Sequence, residues 1–465
     1  VVFSSNVFLF AFLPAVLIGY YLIGSERRNG FLFLASLVFY LWGSGWVVFL
    51  LLLTVVVNHH LGRAVAGRPW LLALGVAYNL SFLLYFKYFG FFREELGRLA
   101  GLAGWPMGPF ERILLPIGIS FYTFQALSYV IDCYQKKHPP AERLVDFGMY
   151  LTSFPQLIAG PIVRFDQIRE RIRRRPLNLD EVFQGLWRFS LGLAKKVVLA
   201  NNLGLVADQV LAAPLGELRP EVAWLGALCY TFQIYYDFSG YSDMAIGLGR
   251  MLGFTFPENF NQPYRSRSIT EFWRRWHMTL SGWFRDYVYV PLGGNRRGQA
   301  RTYRNLWIVF LLCGLWHGAA WTFVLWGCYH GLLLVIERVL RARWGFQGRG
   351  PLAQLVTFVL IIFGWVIFRL ESLGQALDYS AVMLCLSRPT GFQFYGLAYY
   401  LRADVVLYLS LAFFFGLFPF ERLEPWFKER AWVRALQGAG GLGLVFLAAL
   451  FLSVAGFNPF IYFQF

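Results

Sequence analysis

The chain has 465 residues, of which 57% are hydrophobic, 19% aromatic and only 15% charged. A soluble domain of this length needs far more charge to cover its surface, so the composition excludes an ordinary globular protein and points to a lipid bilayer as solvent. The formal net charge of +16 raises nucleic acid as a partner, but the basic residues sit in loops beside apolar runs. The positive-inside rule accounts for them there, and no nucleic-acid partner is expected.

The apolar runs lie at 7–23, 31–42, 47–61, 71–89, 114–130, 186–205, 224–252, 306–315, 320–335, 352–368, 405–417 and 442–454. A crossing helix takes about 17–25 residues, and several runs are shorter, so about ten to twelve helices are expected, some re-entrant or broken. The opening "VVFSSNVFLFAFLPAVLIGYYLIG" lacks a basic n-region and a small-residue cleavage site, and reads as a retained first span. The loops "VRFDQIRERIRRRP" (163–176), "GGNRRGQARTYR" (293–304) and "ERVLRARW" (337–344) carry the basic excess and are expected in the cytoplasm. No repeat or Gly/Ser linker divides the chain. The expectation is an all-α polytopic fold in one membrane domain over 1–465, with N-terminal helices (1–110), a core (111–345), and C-terminal helices with an aromatic tail (346–465).

The unusual residues fall in the core. "LPIGISFYTFQALSYVIDCYQ" (115–135) carries Ser120, Thr123, Gln125, Ser128 and Asp132, polar groups that need protein or water partners and so should face the interior. "TSFPQLIAGPIVRF" (152–165) is too short to cross and holds Pro155, Gly160 and Pro161, which suits a re-entrant or broken segment lined by protein. In "YTFQIYYDFSGYSDMAIGLGRMLG" (230–253), Gln233, Asp237 and Tyr241 share one helical face, with Asp243 nearby. Carboxylates there fit either a functional site or a buried network with an arginine from the next segment.

"SRSITEFWRRWHMTLSGWFRDYVYVPLGG" (266–294) opens with Ser268 and Glu271 at capping-box spacing. Trp273, Trp276, Leu280, Trp283, Phe284 and Tyr287 then build one apolar face, with Arg274, Arg275, Arg285 and Asp286 opposite. An amphipathic helix at the membrane boundary is expected, with His277 at the margin of its apolar stripe. In "CGLWHGAAWTFVLWGCYHG" (313–331), Trp316, Trp321, Phe323 and Trp326 surround His317, and Gly314 and Gly318 allow a close backbone approach. Burial there favours a neutral imidazole, which can serve as a general base or simply donate to a carbonyl. His330 lies about 220° around a straight helix from His317 and reads as structural. The five cysteines show no CxxC pair or His/Cys metal spacing, so neither a disulfide framework nor a metal is expected.

"RRWHMTLSGWFRDYVYVPLGG" followed by "LWHGAAWTFVLWGCYHG" resembles the membrane-bound O-acyltransferase family, and within it the bacterial alginate O-acetyltransferase branch. That branch is grouped with the systems that acetylate peptidoglycan and cellulose and that D-alanylate teichoic acids. "VVFSSNVFLFAFLP", "FPQLIAGPIVRF", "YYDFSGYSDMAIGLGRMLGF", "PENFNQPYRSRSITEFW" and "NPFIYFQF" extend the resemblance along the whole chain.

The resemblance implies a ring of tilted transmembrane and re-entrant helices around a thin core, in the bacterial cytoplasmic (inner) membrane. It implies that His317 and His277 serve the reaction, His317 as base. No bound cofactor is implied; acetyl-CoA or another acyl thioester is the donor substrate, and Arg265, Arg274 and Arg275 are candidates to hold its phosphates, or else are solvated charge of the cytoplasmic side. The acceptor would be an extracytoplasmic polysaccharide, reached through an SGNH-like or related partner acetyltransferase. Tyr462, in the tail "GFNPFIYFQF", is a candidate acyl carrier, or else an anchor at the membrane edge. A secondary transporter using Asp237 and Asp243 and an inactive scaffold remain as readings from other classes.

Overall fold

The structure is a computed structural model that describes residues 3–105, 107–108, 113–176, 178–345, 348–387, 395–420 and 431–454. Those residues form helices and short helical turns, with no strand among them. Among the described residues, six helical segments are long and apolar enough to cross a membrane: Ser25–Ala64, Pro69–Leu102, Leu179–Leu211, Trp321–Trp344, Gly350–Arg369 and Trp432–Val454. Two shorter apolar helices, Phe8–Leu22 and Ala403–Leu417, join them. The protein is an all-α, multi-pass membrane protein.

The chain divides into two compact units, one of Val1–Gly185 with Ala245–Pro257 and the other of Leu186–Met244 with Glu258–Phe465. In the first, the Val48–Ala64 and Pro69–Leu83 helices are tied by a reciprocal amide pair between Asn58 and Asn79, at 3.0 and 2.7 Å. Such an interhelical bond contributes about 1 kcal/mol in lipid, where no water competes for it. The Ile119–Tyr134 helix buries Thr123, Gln125, Ser128 and Asp132, as its polar content demands. The 152–165 stretch is broken as expected. A four-residue helix, Phe154–Leu157, ends in irregular backbone that turns at Gly160 with φ +111°, a left-handed value that a Cβ would strain. Residues 152–163 are all buried, so their backbone is lined by protein.

In the second unit, the Gln299–His317 and Trp321–Trp344 helices form a hairpin. A Cβ on Gly314 would lie 2.3 Å from the Phe323 carbonyl oxygen, and one on Gly327 would lie 2.4 Å from that of Phe310. The two backbones therefore touch, and only glycine permits it. The 313–331 run is thus two helices rather than one, with the break at Gly318–Ala320. Angles counted around a single straight helix do not apply to His330.

The expected boundary helix is also broken. Ile269–Arg275 and Met278–Phe284 are separate, and His277 between them has φ +42°. The segment before them holds the break open: Asn261 N–H donates to Arg275 O at 2.9 Å and Met278 N–H to Asn259 O at 2.9 Å. Trp273, Trp276, Leu280, Trp283 and Phe284 are buried in protein, so their stripe packs against the fold rather than facing lipid. The cap at Ser268 forms, with Glu271 N–H donating to Ser268 Oγ at 3.1 Å, but the Glu271 carboxylate accepts from Arg267 N–H, one residue earlier than in a capping box.

Candidate active site

His277 is only 1% exposed, and the break in the helix is what puts it inside. A left-handed conformation at a non-glycine residue costs about 1 kcal/mol or more and persists where surrounding contacts overdetermine it. Here the contact is Asn259, whose Oδ1 faces three donors: Thr279 N–H at 3.3 Å, Thr279 Oγ1 at 2.8 Å and His277 Nδ1 at 3.0 Å. A backbone N–H can only donate, so the Asn259 atom is oxygen and its amide nitrogen faces Ser242 Oγ, at 3.1 Å. His277 Nδ1 therefore carries the proton and donates. In the neutral ring, Nε2 holds the lone pair. Nε2 is buried and makes no hydrogen bond within the described residues. Burial also pushes the His277 pKa down to about 3, so the ring is neutral at physiological pH.

His317 is the last residue of its helix and is 5% exposed. Three rings pack edge-on around it: Trp316 at 4.9 Å, Trp326 at 5.1 Å and Phe368 at 5.2 Å between centroids. The Trp316 ring also lies 6.0 Å from that of His277. The two histidines thus join one buried aromatic cluster through a shared tryptophan, although their helices are far apart in sequence. Phe238, from the Pro220–Met251 helix, closes on His277 at 4.7 Å. His330 is part of the same neighbourhood, with its ring 4.9 Å from Trp326 and 5.0 Å from Trp273.

The Pro220–Met251 helix does not bring its aspartates to the histidines. It presents Phe238 and Ser242 to that side. Asp237 pairs with the buried Lys196 Nζ at 2.6 Å. Asp243 pairs with Arg188 at 2.7 Å and Lys195 at 2.6 Å, and Arg188 also holds Glu258 at 2.6 Å. The buried network expected as one alternative is present, but its cations come from the preceding segment, 188–196, rather than the following one. Gln233 packs against Gly204, where a Cβ would meet its amide at 2.5 Å, and Tyr241 is buried.

The three candidate donor arginines differ. Arg275 is committed, chelating Glu271 at 3.0 Å and reaching Asn261 O at 3.2 Å. Arg265 donates to Gln262 Oε1 at 2.7 Å, and Gln262 in turn donates to Phe418 O at 2.7 Å. Arg274 is exposed and makes no hydrogen bond or ion pair within the described residues. Tyr462 lies outside the described residues. Asn259 was not singled out from sequence. Its only signal was its place in "PENFNQPYR", because a lone asparagine shows no periodicity or charge pattern.

A family model for the membrane-bound O-acyltransferase (MBOAT) family matches residues 141–374, which include both histidines and both helix breaks. The chain is 45% identical over 495 aligned residues to a probable alginate O-acetylase of Pseudomonas putida, an alignment covering 100% of each chain. The chain belongs to the membrane-bound O-acyltransferase family. A second relative, a probable alginate O-acetylase of Pseudomonas aeruginosa, is 49% identical over 388 residues, 81% of this chain and 73% of that one. The peptidoglycan O-acetyltransferase of Helicobacter pylori is 37% identical over 431 residues, 83% of this chain and 80% of that one. This membrane protein is an O-acyltransferase.

Proposed function

We propose that this enzyme moves an acetyl group from a cytoplasmic thioester across the bacterial inner membrane for O-acetylation of an extracytoplasmic polysaccharide such as alginate. The names of its relatives support the polysaccharide and the acetyl group. The observation that carries the reading is the pairing of His277 and His317 against Trp316 in a buried cluster. Peptidoglycan, cellulose or teichoic acid are the alternative acceptors for the same chemistry.

A hydroxyl is a poor nucleophile at neutral pH. In this reading, His317 takes its proton as the oxygen attacks the thioester carbonyl, and the proton passes to the departing thiolate when the tetrahedral intermediate collapses. His277 is the second acid/base, or orients the donor through Nε2. Arg274, the uncommitted guanidinium of the three, meets phosphates of the donor, acetyl-CoA or another acyl thioester. Tyr462 carries the acetyl group as a phenyl ester to an SGNH-like partner acetyltransferase, which delivers it to the glycan. A transporter would need intramembrane carboxylates for its cargo, and here Asp237 and Asp243 are engaged by lysine and arginine.

The test is the purified enzyme in vesicles supplied with radiolabelled acetyl-CoA on the cytoplasmic side. CoA release and protein-bound label are expected from wild type, with release lost in His317→Ala and label lost in Tyr462→Phe. A His317→Ala protein with full transfer rejects the base. Full label on Tyr462→Phe rejects the relay.

A further inference from the structure

One cleft lies in the first unit. Its volume is about 220 Å³, and its lining includes Arg171, Asn178, Glu181, Arg250, Phe254 and Thr255. Its back wall is fixed from behind. Tyr20 Oη donates to Leu252 O at 2.7 Å, and Tyr21 Oη donates to Met251 O. The Arg175 guanidinium lies over the Phe254 ring at 4.4 Å and donates to Asn29 Oδ1 at 2.6 Å. The wall is thus built before any ligand arrives.

The charges facing the cleft are uncommitted. Arg169 pairs with Glu170 at 2.8 Å, Arg173 with Glu142, and Arg175 with Asn29, whereas the exposed Arg174 beside them has no side-chain hydrogen bond or ion pair within the described residues. Arg171 and Arg250 have no hydrogen bond or ion pair within the described residues, and neither pairs with Glu181 across the cleft. Asn178 Oδ1 accepts from Asp180 N–H at 2.9 Å, at the start of the Leu179–Ala194 helix. Two free guanidiniums and a helix start around a preformed concavity suit a phosphate oxygen cluster. Glu181 leaves the lining net positive and offers an acceptor to a hydroxyl beside the phosphate.

Position selects the source of the phosphate. Glu181 and Val182 belong to the first turn of Leu179–Leu211, one of the membrane-crossing segments. Leu179 at its tip is 86% exposed, an apolar side chain suited to lipid rather than water. The cleft therefore sits at the start of a helix long and apolar enough to cross a membrane, where headgroups would lie. We propose that it binds the phosphate diester of an acidic phospholipid, held by Arg171 and Arg250, with Glu181 facing the headgroup hydroxyls.

The experiment uses the full chain in detergent micelles, titrated with phosphatidylglycerol, phosphatidylcholine or coenzyme A, with bound ligand read by native mass spectrometry. Wild type is expected to prefer phosphatidylglycerol to phosphatidylcholine. Arg171→Gln/Arg250→Gln should lose about tenfold or more of its phosphatidylglycerol affinity, the loss of charge-assisted phosphate contacts, while Arg343→Gln, elsewhere on the surface, should not. Glu181→Gln should tighten phosphatidylglycerol, an opposite sign that general destabilisation does not produce. Unchanged lipid preference in the double variant overturns the proposal. So does loss of coenzyme A affinity with lipid affinity intact, which assigns the phosphate to a nucleotide. Should the double variant fail to fold, absence of tightening in Glu181→Gln overturns it alone.

Discussion

Asn259 Oδ1 lies 3.0 Å from His277 Nδ1 and, by accepting the hydrogen bond of its N–H, leaves Nε2 as the basic nitrogen of a buried ring. That orientation is enforced by the Thr279 N–H on the same oxygen. Asn259→Leu should therefore lower kcat about tenfold to a hundredfold, since general acid–base catalysis is worth about 10²–10⁴ and a misoriented ring keeps part of it. Asn259→Asp should keep the orientation but stabilise the imidazolium, and so bring an acidic limb into the pH–rate profile. Steady-state acyl transfer across pH separates the two; identical profiles for wild type and both variants would remove Asn259 from the mechanism.

His317 ends its helix inside a ring of Trp316, Trp326 and Phe368. His317→Ala is expected to cost about 10²–10⁴ in turnover while the protein still elutes as an intact species, because the general-base contribution is of that size. Comparable loss in Trp326→Phe would instead point to packing.

The burial of His277 has a pH signature. Its folded pKa, pushed down to about 3, lies below the ordinary 6.5. Between those values the unfolded chain takes up a proton that the folded chain refuses. Stability from this group is thus complete above pH 6.5 and falls as pH drops toward 3, by about 1.4 kcal/mol per unit. Thermal unfolding in detergent between pH 7 and 4 should show a shallower decline for His277→Gln than for wild type. Parallel curves would mean that the ring protonates in the folded state.

Lys196 and Asp237, 2% and 1% exposed, pair at 2.6 Å. Removing either partner takes a buried charge off its counter-ion, so Lys196→Met and Asp237→Leu should each destabilise by up to about 3–5 kcal/mol, with the double variant regaining part of it. Unfolding midpoints of the three proteins check this; additive losses would show that the pair is not the unit.

Arg274 and Arg275 are neighbours with opposite expectations. Arg275 is bound to Glu271 and Asn261, and Arg274 is exposed and unengaged. Arg274→Gln should raise KM for the thioester donor with stability unchanged, and Arg275→Gln should lower stability by about 1 kcal/mol or less, as for a partly exposed pair. Kinetics and unfolding on both variants decide it; no KM change in Arg274→Gln would take the donor phosphates elsewhere.

The sequence alone determined the solvent, the all-helical class, the broken 152–165 segment, the burial of Gln125, Ser128 and Asp132, and the pair of histidines. All but the last follow from composition or local patterning, which a single chain displays; the pairing of the histidines is what the family resemblance implied. One helix break escaped the sequence, and the other was only bracketed, by the separate apolar runs at 306–315 and 320–335. Apolar periodicity runs on through Trp276–His277, because Leu280, Trp283 and Phe284 beyond that break are also buried, and hydrophobic pattern marks burial rather than continuity. What stops the first is a backbone pairing with Asn259 and Asn261, contacts made across the fold. The partners of Asp237 and Asp243 were likewise beyond reach, since charge pairing depends on which helix packs alongside. The tertiary structure alone decided that His277 is buried rather than interfacial, which of its nitrogens carries the proton, and that Trp316 joins it to His317. Those are facts of proximity, and proximity between distant segments is set by packing.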